Sequence, residues 1–358
     1  MEDDWRKSRF MQGPSVEPVH WKKGSTIGEI IENYKNRPFE GRNVHAGARV
    51  LEEMIEKGDT IWLGISGAGI AGGMGGYVID LIENGFVDVI CSTGAQVYHD
   101  AHFAFGLPVV QGSPRTDDNK LRKDGTTRIY DIYIRENETL IPQDKIFREF
   151  ARSLHGREIS SADYNFEWGK YILEKAPHPE KSFVAAAAKA GVPVFWDSEG
   201  NHSIGMNNAA LWAEGIDVNP SPRKSIYEAA AIGYSNPQMG FFEWGGGPKN
   251  WIQQISPMIN QILKINFEGA DRGLQITTAP EKDGGLSGCT LGEGVTWGKY
   301  KDAKSGVAQI WSEYSMIAPL LVGYALENCK PRNLKRLMDR KEEYVADLMK
   351  VAAEYSRK

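Results

Sequence analysis

The sequence predicts an α/β protein: a mostly parallel sheet flanked by helices, with extra helices at the N- and C-terminal ends. Three observations predict it. Short apolar runs of strand length end in glycine or polar residues and are followed by segments with apolar residues at helical spacing. The first two runs, over 60–66 and 86–92, enclose one helical segment, and such a β-α-β unit implies parallel strands. No stretch has the length or composition of a flexible linker and no internal repeat is present, so residues 25–358 read as one domain behind an arm of residues 1–24.

In chain order, the arm is irregular, with Pro14 and Pro18 breaking regular structure and Trp5 and Trp21 as docking points. Residues 26–34 carry Ile27, Ile30, Ile31 and Tyr34 at helical spacing, and 41–57 repeat the pattern with Val44, Ala48, Leu51 and Ile55. After the strand over 60–66, residues 70–84 read as a helix stopped by Gly85. The strand over 86–92 leads to a short helical piece, and 128–134 alternates like a strand. Helices are predicted over 143–155, 160–174 and 178–190, a strand over 193–196, and helices around 206–214 and 222–234. A strand over 239–243, a helix over 251–263 and strands over 272–277 and 307–311 follow. The chain ends in an apolar helix over 314–327 and a charged one over 333–355, read as a solvated face or an oligomer contact.

Composition narrows the partners. A net charge of −5 argues against nucleic acid and anionic membrane surfaces, both of which need a basic face, and is compatible with a small cationic substrate. Cys91, Cys289 and Cys329 are scattered without metal or disulfide spacing, which fits a reducing compartment. With no export signal and no apolar run of membrane-spanning length, a cytoplasmic protein is expected. The 39 glycines cluster at 64–76, 245–247 and 284–298.

Those clusters are where chemistry could sit. In Glu293-Gly-Val-Thr-Trp-Gly-Lys299 a lysine follows a tryptophan by two residues beside a carboxylate: either a solvated surface turn or a nucleophilic amine, which works only when neutral. Gly67-Ala-Gly-Ile-Ala-Gly72 fits G-x-G-x-x-G after a strand and before a helix. It reads either as a dinucleotide loop, lacking the ribose-binding acid at the end of the next strand, or as a tight packing turn. Small and polar residues also follow other strands, at Thr93-Gly94, Asn201, Gly245–Gly247 and Thr277–Ala279, where open α/β sheets collect ligands. His99 and His102 stand at i, i+3, but no further ligand cluster accompanies them, so they read as a polar site or core histidines and no metal is assigned. Trp244, Trp251, Trp297 and Trp311 read as core or as an apolar wall for an alkylamine.

Taken together, Gly245-Gly-Gly-Pro-Lys-Asn250, Thr277-Thr-Ala279, Gly285-Leu-Ser-Gly288 and Glu293 to Lys299 resemble deoxyhypusine synthase and its relatives, with the order of elements agreeing from about residue 41 to 327. The resemblance implies a Rossmann-like fold that binds NAD, and a homotetramer with sites at subunit interfaces. It also implies transfer of an aminobutyl group from spermidine to an acceptor amine through a lysine imine. Carried over, Lys299 is the imine-forming nucleophile, Trp297 packs on the aminobutyl chain, and Glu293 holds an ammonium or moves protons. NAD contacts fall on Gly67, Ala68, Ala71, Thr93, Gly94, Asn201, Gly246, Thr278, Ala279 and Glu313. His99, Met206 and Leu286 stand where the family has acidic groups, and Asn250 where it has a histidine, so these four substrate positions are expected to recognise an altered amine. The function expected is therefore aminoalkyl transfer between small polyamines, of the homospermidine-synthase kind. The alternatives are deoxyhypusine synthase proper, acting on a lysine of a translation-factor precursor, and a non-catalytic NAD-binding relative.

Overall fold

Thr60–Ile65 is buried along its whole length, on both faces, as a strand must be at the centre of a parallel sheet covered by helices on two sides. In the computed structural model, which describes residues 8–302 and 306–355, it is β1 of a six-stranded sheet. The others are β2 (Val89–Ser92), β3 (Val194–Trp196), β4 (Met239–Trp244), β5 (Arg272–Thr277) and β6 (Val307–Trp311). All pairs are parallel, in the order β6-β5-β4-β1-β2-β3. That is the doubly wound order, whose direction reverses between β1 and β4 and leaves a crevice beyond their carboxyl ends.

Alternate side chains feed two cores. Ile61, Leu63, Ile65, Ile90, Phe242, Leu274 and Ile310 belong to one, with residues from the helices Glu40–Glu56, Gly75–Glu83, Phe183–Ala190 and Tyr314–Asn328. Trp62, Val89, Cys91, Phe195 and Phe241 belong to the other, with residues from Pro222–Ser235 and the C-terminal helix Lys341–Tyr355. The expected α/β class, parallel sheet and added terminal helices are present, and the structure of residues 272–277 and 307–311 follows the expected bounds.

Three expectations need correction. Residues 128–134 are not one strand but parts of two, Thr126–Ile129 and Ile132–Arg135, paired antiparallel and joined at Tyr130-Asp131 with Val109–Gln111 on the far side. The alternating pattern runs unbroken through a two-residue turn, and no glycine marks it; Tyr130 itself takes φ 52°. The helix expected over 70–84 begins only at Gly75, because the glycine-rich stretch before it forms successive turns, with Gly67 and Gly73 at positive φ. The motif thus does not open a helix directly. Finally, Trp21 is 67 % exposed, so it is no buried anchor for the arm, and Trp5 lies outside the described residues.

Candidate active site

The helix Leu291–Thr296 starts at Thr290, whose hydroxyl accepts from the Glu293 N–H at 3.1 Å. It stops at Trp297, and Gly298, at φ 69°, turns the chain inward. The Lys299 N–H then closes on the Gly294 carbonyl at 3.0 Å, and its own carbonyl accepts from Ala270 at 3.0 Å. Lys299 is consequently buried, although Glu293 and Trp297 on the same turn are exposed. Its Nζ donates to Asn250 Oδ1 at 3.3 Å and lies 5.9 Å from the centre of the Trp297 ring. Asn250 and Trp297 therefore lie beside Lys299, with Glu293 on the same turn; Leu286 is exposed on the segment leading to them.

Under this turn is a second buried lysine. Lys249 donates to Gln275 Oε1 at 2.8 Å and to the Cys289 carbonyl. Burial lowers its pKa and the neighbouring Lys299 adds to the effect, against the pull of Glu243, Cys289 and Glu293. On β4, fully buried Glu243 accepts from Gln253 Nε2 at 3.0 and 3.3 Å. Burial pushes its carboxyl up to about 7, although Lys249, Gln253 and Lys299 favour the charged form. Neither residue was singled out from the sequence. Lys249 stood inside the Gly245 to Asn250 block; Glu243 had no signal beyond a carboxylate in an apolar strand.

The cofactor positions divide. Gly67, Ala68 and Ala71 line a cavity of about 680 Å³ together with Glu313 and Tyr314. Gly246, Thr278 and Ala279 line one of about 330 Å³ that shares Glu313 and Tyr314 with the first. The two cavities meet at the crevice between β1 and β4. There the Ser66 hydroxyl donates to the Trp244 carbonyl at 2.9 Å and accepts from the Gly246 N–H at 3.0 Å. A Cβ on Gly246 would fall 1.8 Å from Ser287 Oγ, so only glycine fits. Tyr314, which the sequence did not flag, bridges the loop: its hydroxyl donates to the Ser66 carbonyl at 2.8 Å and accepts from the Gly69 N–H at 2.7 Å.

Thr93, Gly94 and Asn201 line neither cavity. Thr93 caps the helix Gly94–Ala104, Gly94 lies under the His202 ring, and Asn201 is exposed after β3. His99 and Met206 also sit on this side, on the helices Gly94–Ala104 and Ser203–Ala213, not beside Lys299. His99 Nδ1 and His102 Nε2 are 2.9 Å apart, and His102 Nδ1 meets Gln143 Oε1 at 2.6 Å, so the facing nitrogens are spent on each other. Burial lowers the two rings to about 4 and about 3 respectively. Among the described residues three carboxylates do gather at Asp163, Glu228 and Glu342, but the Lys341 ammonium lies among them, at 3.3, 2.9 and 2.8 Å.

The family model for deoxyhypusine synthase matches residues 29–325. A "Deoxyhypusine synthase-like protein" of Nostoc sp. is 34 % identical over 342 residues, covering 92 % of this chain and 89 % of its own. "Probable deoxyhypusine synthase 2" of Methanosarcina acetivorans is 32 % identical over 330 residues, covering 92 % and 93 %. A crystal structure assigned as a deoxyhypusine synthase from Entamoeba histolytica superposes with TM-score 0.58 at 15 % identity, over 89 % of this chain and 100 % of that one, and speaks to the fold alone.

Proposed function

The chain belongs to the deoxyhypusine synthase family, and from that premise we propose that it transfers an aminoalkyl group between small amines through an imine on Lys299, with NAD as cofactor. The observation that carries this reading is the burial of Lys299 with its nitrogen on Asn250 and beside Trp297, in the Trp-Gly-Lys turn of the family motif.

The adjoining cavities fit a dinucleotide: glycine, alanine and threonine backbone at strand ends for phosphates and amide groups, and the Glu313 carboxylate for hydroxyls. NAD, when bound, would accept a hydride from the donor amine and return it to the product. This chain's residues do the rest. Lys299 supplies the attacking nitrogen, and Asn250 Oδ1 holds one of its N–H bonds so that the lone pair has a fixed direction. The Trp297 face covers the alkyl chain and favours an ammonium above it. Glu293, exposed on the same turn as Lys299, takes protons from amines as they enter and gives them to amines as they leave. Residues 25–358 act as one unit. His99 and Met206, away from Lys299 within one chain, would meet it across the subunit interface of a homotetramer.

The exposed apolar Leu286 and Met206 favour small amines over spermidine held by carboxylates. Incubation with NAD and candidate amines, followed by borohydride, is expected to label Lys299 in the wild type and not in Lys299→Ala. Equal labelling of both would sink the imine reading. Mass spectrometry of the products should show new polyamines; modification of a supplied translation-factor precursor instead would move the protein to the protein-modifying reading.

A further inference from the structure

The proposed transfer uses the turn that carries Lys299 but leaves unexplained the polar layer beneath it. Glu243, Lys249, Gln253, Gln275 and Tyr300 are each at most 2 % exposed. They form two hydrogen-bonded groups side by side, meeting where Glu243 and Gln275 pair across β4 and β5: Gln253 Nε2 serves both the Glu243 carboxylate and Tyr300 Oη, the latter at 3.0 Å, and Gln275 accepts from Lys249 while its Nε2 donates to the Gly245 and Ser287 carbonyls at 3.0 and 3.2 Å. A buried polar network of this kind is destabilising relative to a hydrophobic filling of the same volume. Its presence under the reactive nitrogen calls for a reason.

Counting charges supplies one. Two buried lysines flank one buried carboxylate, Glu243: Lys249 bonds Gln275, which pairs with Glu243 across β4 and β5, and Lys299 precedes Tyr300, which shares Gln253 with Glu243; among the described residues neither lysine makes a direct ion pair with any carboxylate. Tyr300 also faces Glu243, while Cys289 and Glu293 face Lys249. Lys249 has acceptors suited to an ammonium, the Gln275 amide oxygen and the Cys289 carbonyl; Lys299 has the amide oxygen of Asn250. We propose that Glu243 is a positioning residue for Lys299: the buried counter-charge to the cation that forms on the Lys299 nitrogen as an imine, with Lys249 as the competing claimant on the same carboxylate.

The step it serves balances without further reagents. The Lys299 nitrogen adds to the C=N carbon of the oxidised donor amine, a proton shifts from it to the donor nitrogen, which leaves as a neutral amine, and the new C=N nitrogen is left positive with no change in oxidation state; an aldehyde gives the same cation by taking up one proton and losing water. That charge arises in a water-poor place where a nearby carboxylate has a large effect. The raised pKa of Glu243 and the lowered pKa of Lys249 agree with a shortage of compensation at this layer.

The inference rests on the imine reading, and its test separates the two. Protein without added NAD is treated with butanal and borohydride, and the Lys299 peptide is quantified by mass spectrometry. Wild type is expected to label at Lys299. Glu243→Gln, which keeps the hydrogen bond to Gln253, should label roughly tenfold less because two lysines are left uncompensated. Adding Lys249→Met to that variant should restore most of the labelling. Thermal unfolding should show Glu243→Gln less stable than wild type, since two buried cations lose their counter-charge, with Lys249→Met recovering part of the loss; should Glu243→Gln unfold, Lys249→Met alone, which leaves Glu243 to Lys299, is expected to label at least as well as wild type. If wild-type Lys299 does not label, the imine reading fails and this inference with it. If all forms label alike, or the losses in the double variant add, this inference alone is overturned.

Discussion

Trp297 and Gly246 show two ways a residue can matter at this site without holding the fold together. The Trp297 ring is 56 % exposed, so Trp297→Ala should leave the thermal midpoint nearly unchanged. Removing its contact with an amine, worth about 0.5–1 kcal/mol at an exposed site, should raise KM for the amine roughly two- to fivefold, measured by steady-state kinetics. Gly246 is the opposite case. Gly246→Ala must displace Ser287 from the wall of the smaller cavity, and NAD affinity measured by titration calorimetry should fall about tenfold or more; unchanged affinity would show that the dinucleotide lies elsewhere. Both residues were legible in the sequence because their chemistry is local, a Trp-Gly-Lys turn and a glycine run. Glu243 and Lys249 were not, because what distinguishes them is burial against Gln253, Gln275 and Cys289, which lie on other segments.

At the level of elements, the helix Phe183–Ala190 begins against Asp100, on the helix Gly94–Ala104. The Asp100 carboxyl accepts from the Phe183 and Val184 N–H groups at 3.0 and 3.3 Å and from the Ser182 hydroxyl. Burial nevertheless dominates and raises its pKa to about 7, with those hydrogen bonds pulling the other way. The folded chain therefore keeps a proton that the unfolded chain releases near pH 4. The stability this group contributes is present below that pH and lost as pH rises through about 7. Asp100→Asn should remove that loss: urea unfolding at pH 5 and pH 8 should show a smaller drop in stability for the variant than for wild type. Periodicity located both helices but could not reveal this junction, since nothing in the spacing of residues 94–104 says that Asp100 will face Ser182. The same blindness explains the glycine loop, where the motif was visible but the turns before Gly75 were not.

For the molecule as a whole, the β-α-β pattern implied a parallel sheet with ligands beyond its carboxyl ends, but not the strand order that puts the crevice between β1 and β4, since right-handed crossovers allow more than one order. How chains meet was not implied either, because an exposed Met206 or Trp212 looks the same in a sequence whether a partner covers it or not. The proposed assembly predicts a tetramer by sedimentation equilibrium. It also predicts that inactive Lys299→Ala and His99→Ala chains, mixed and reassembled, recover part of the activity; no recovery would place each site within one chain. Tyr314 also ties both cavities to a buried tryptophan. Its ring stacks on buried Trp244 with centroids 6.2 Å apart while its hydroxyl spans the glycine loop, and its side chain belongs to the walls of both cavities. Whatever fills that space must press on an indole that water does not reach, so the protein's own ultraviolet emission should change as it loads, and the change should vanish in Trp244→Phe.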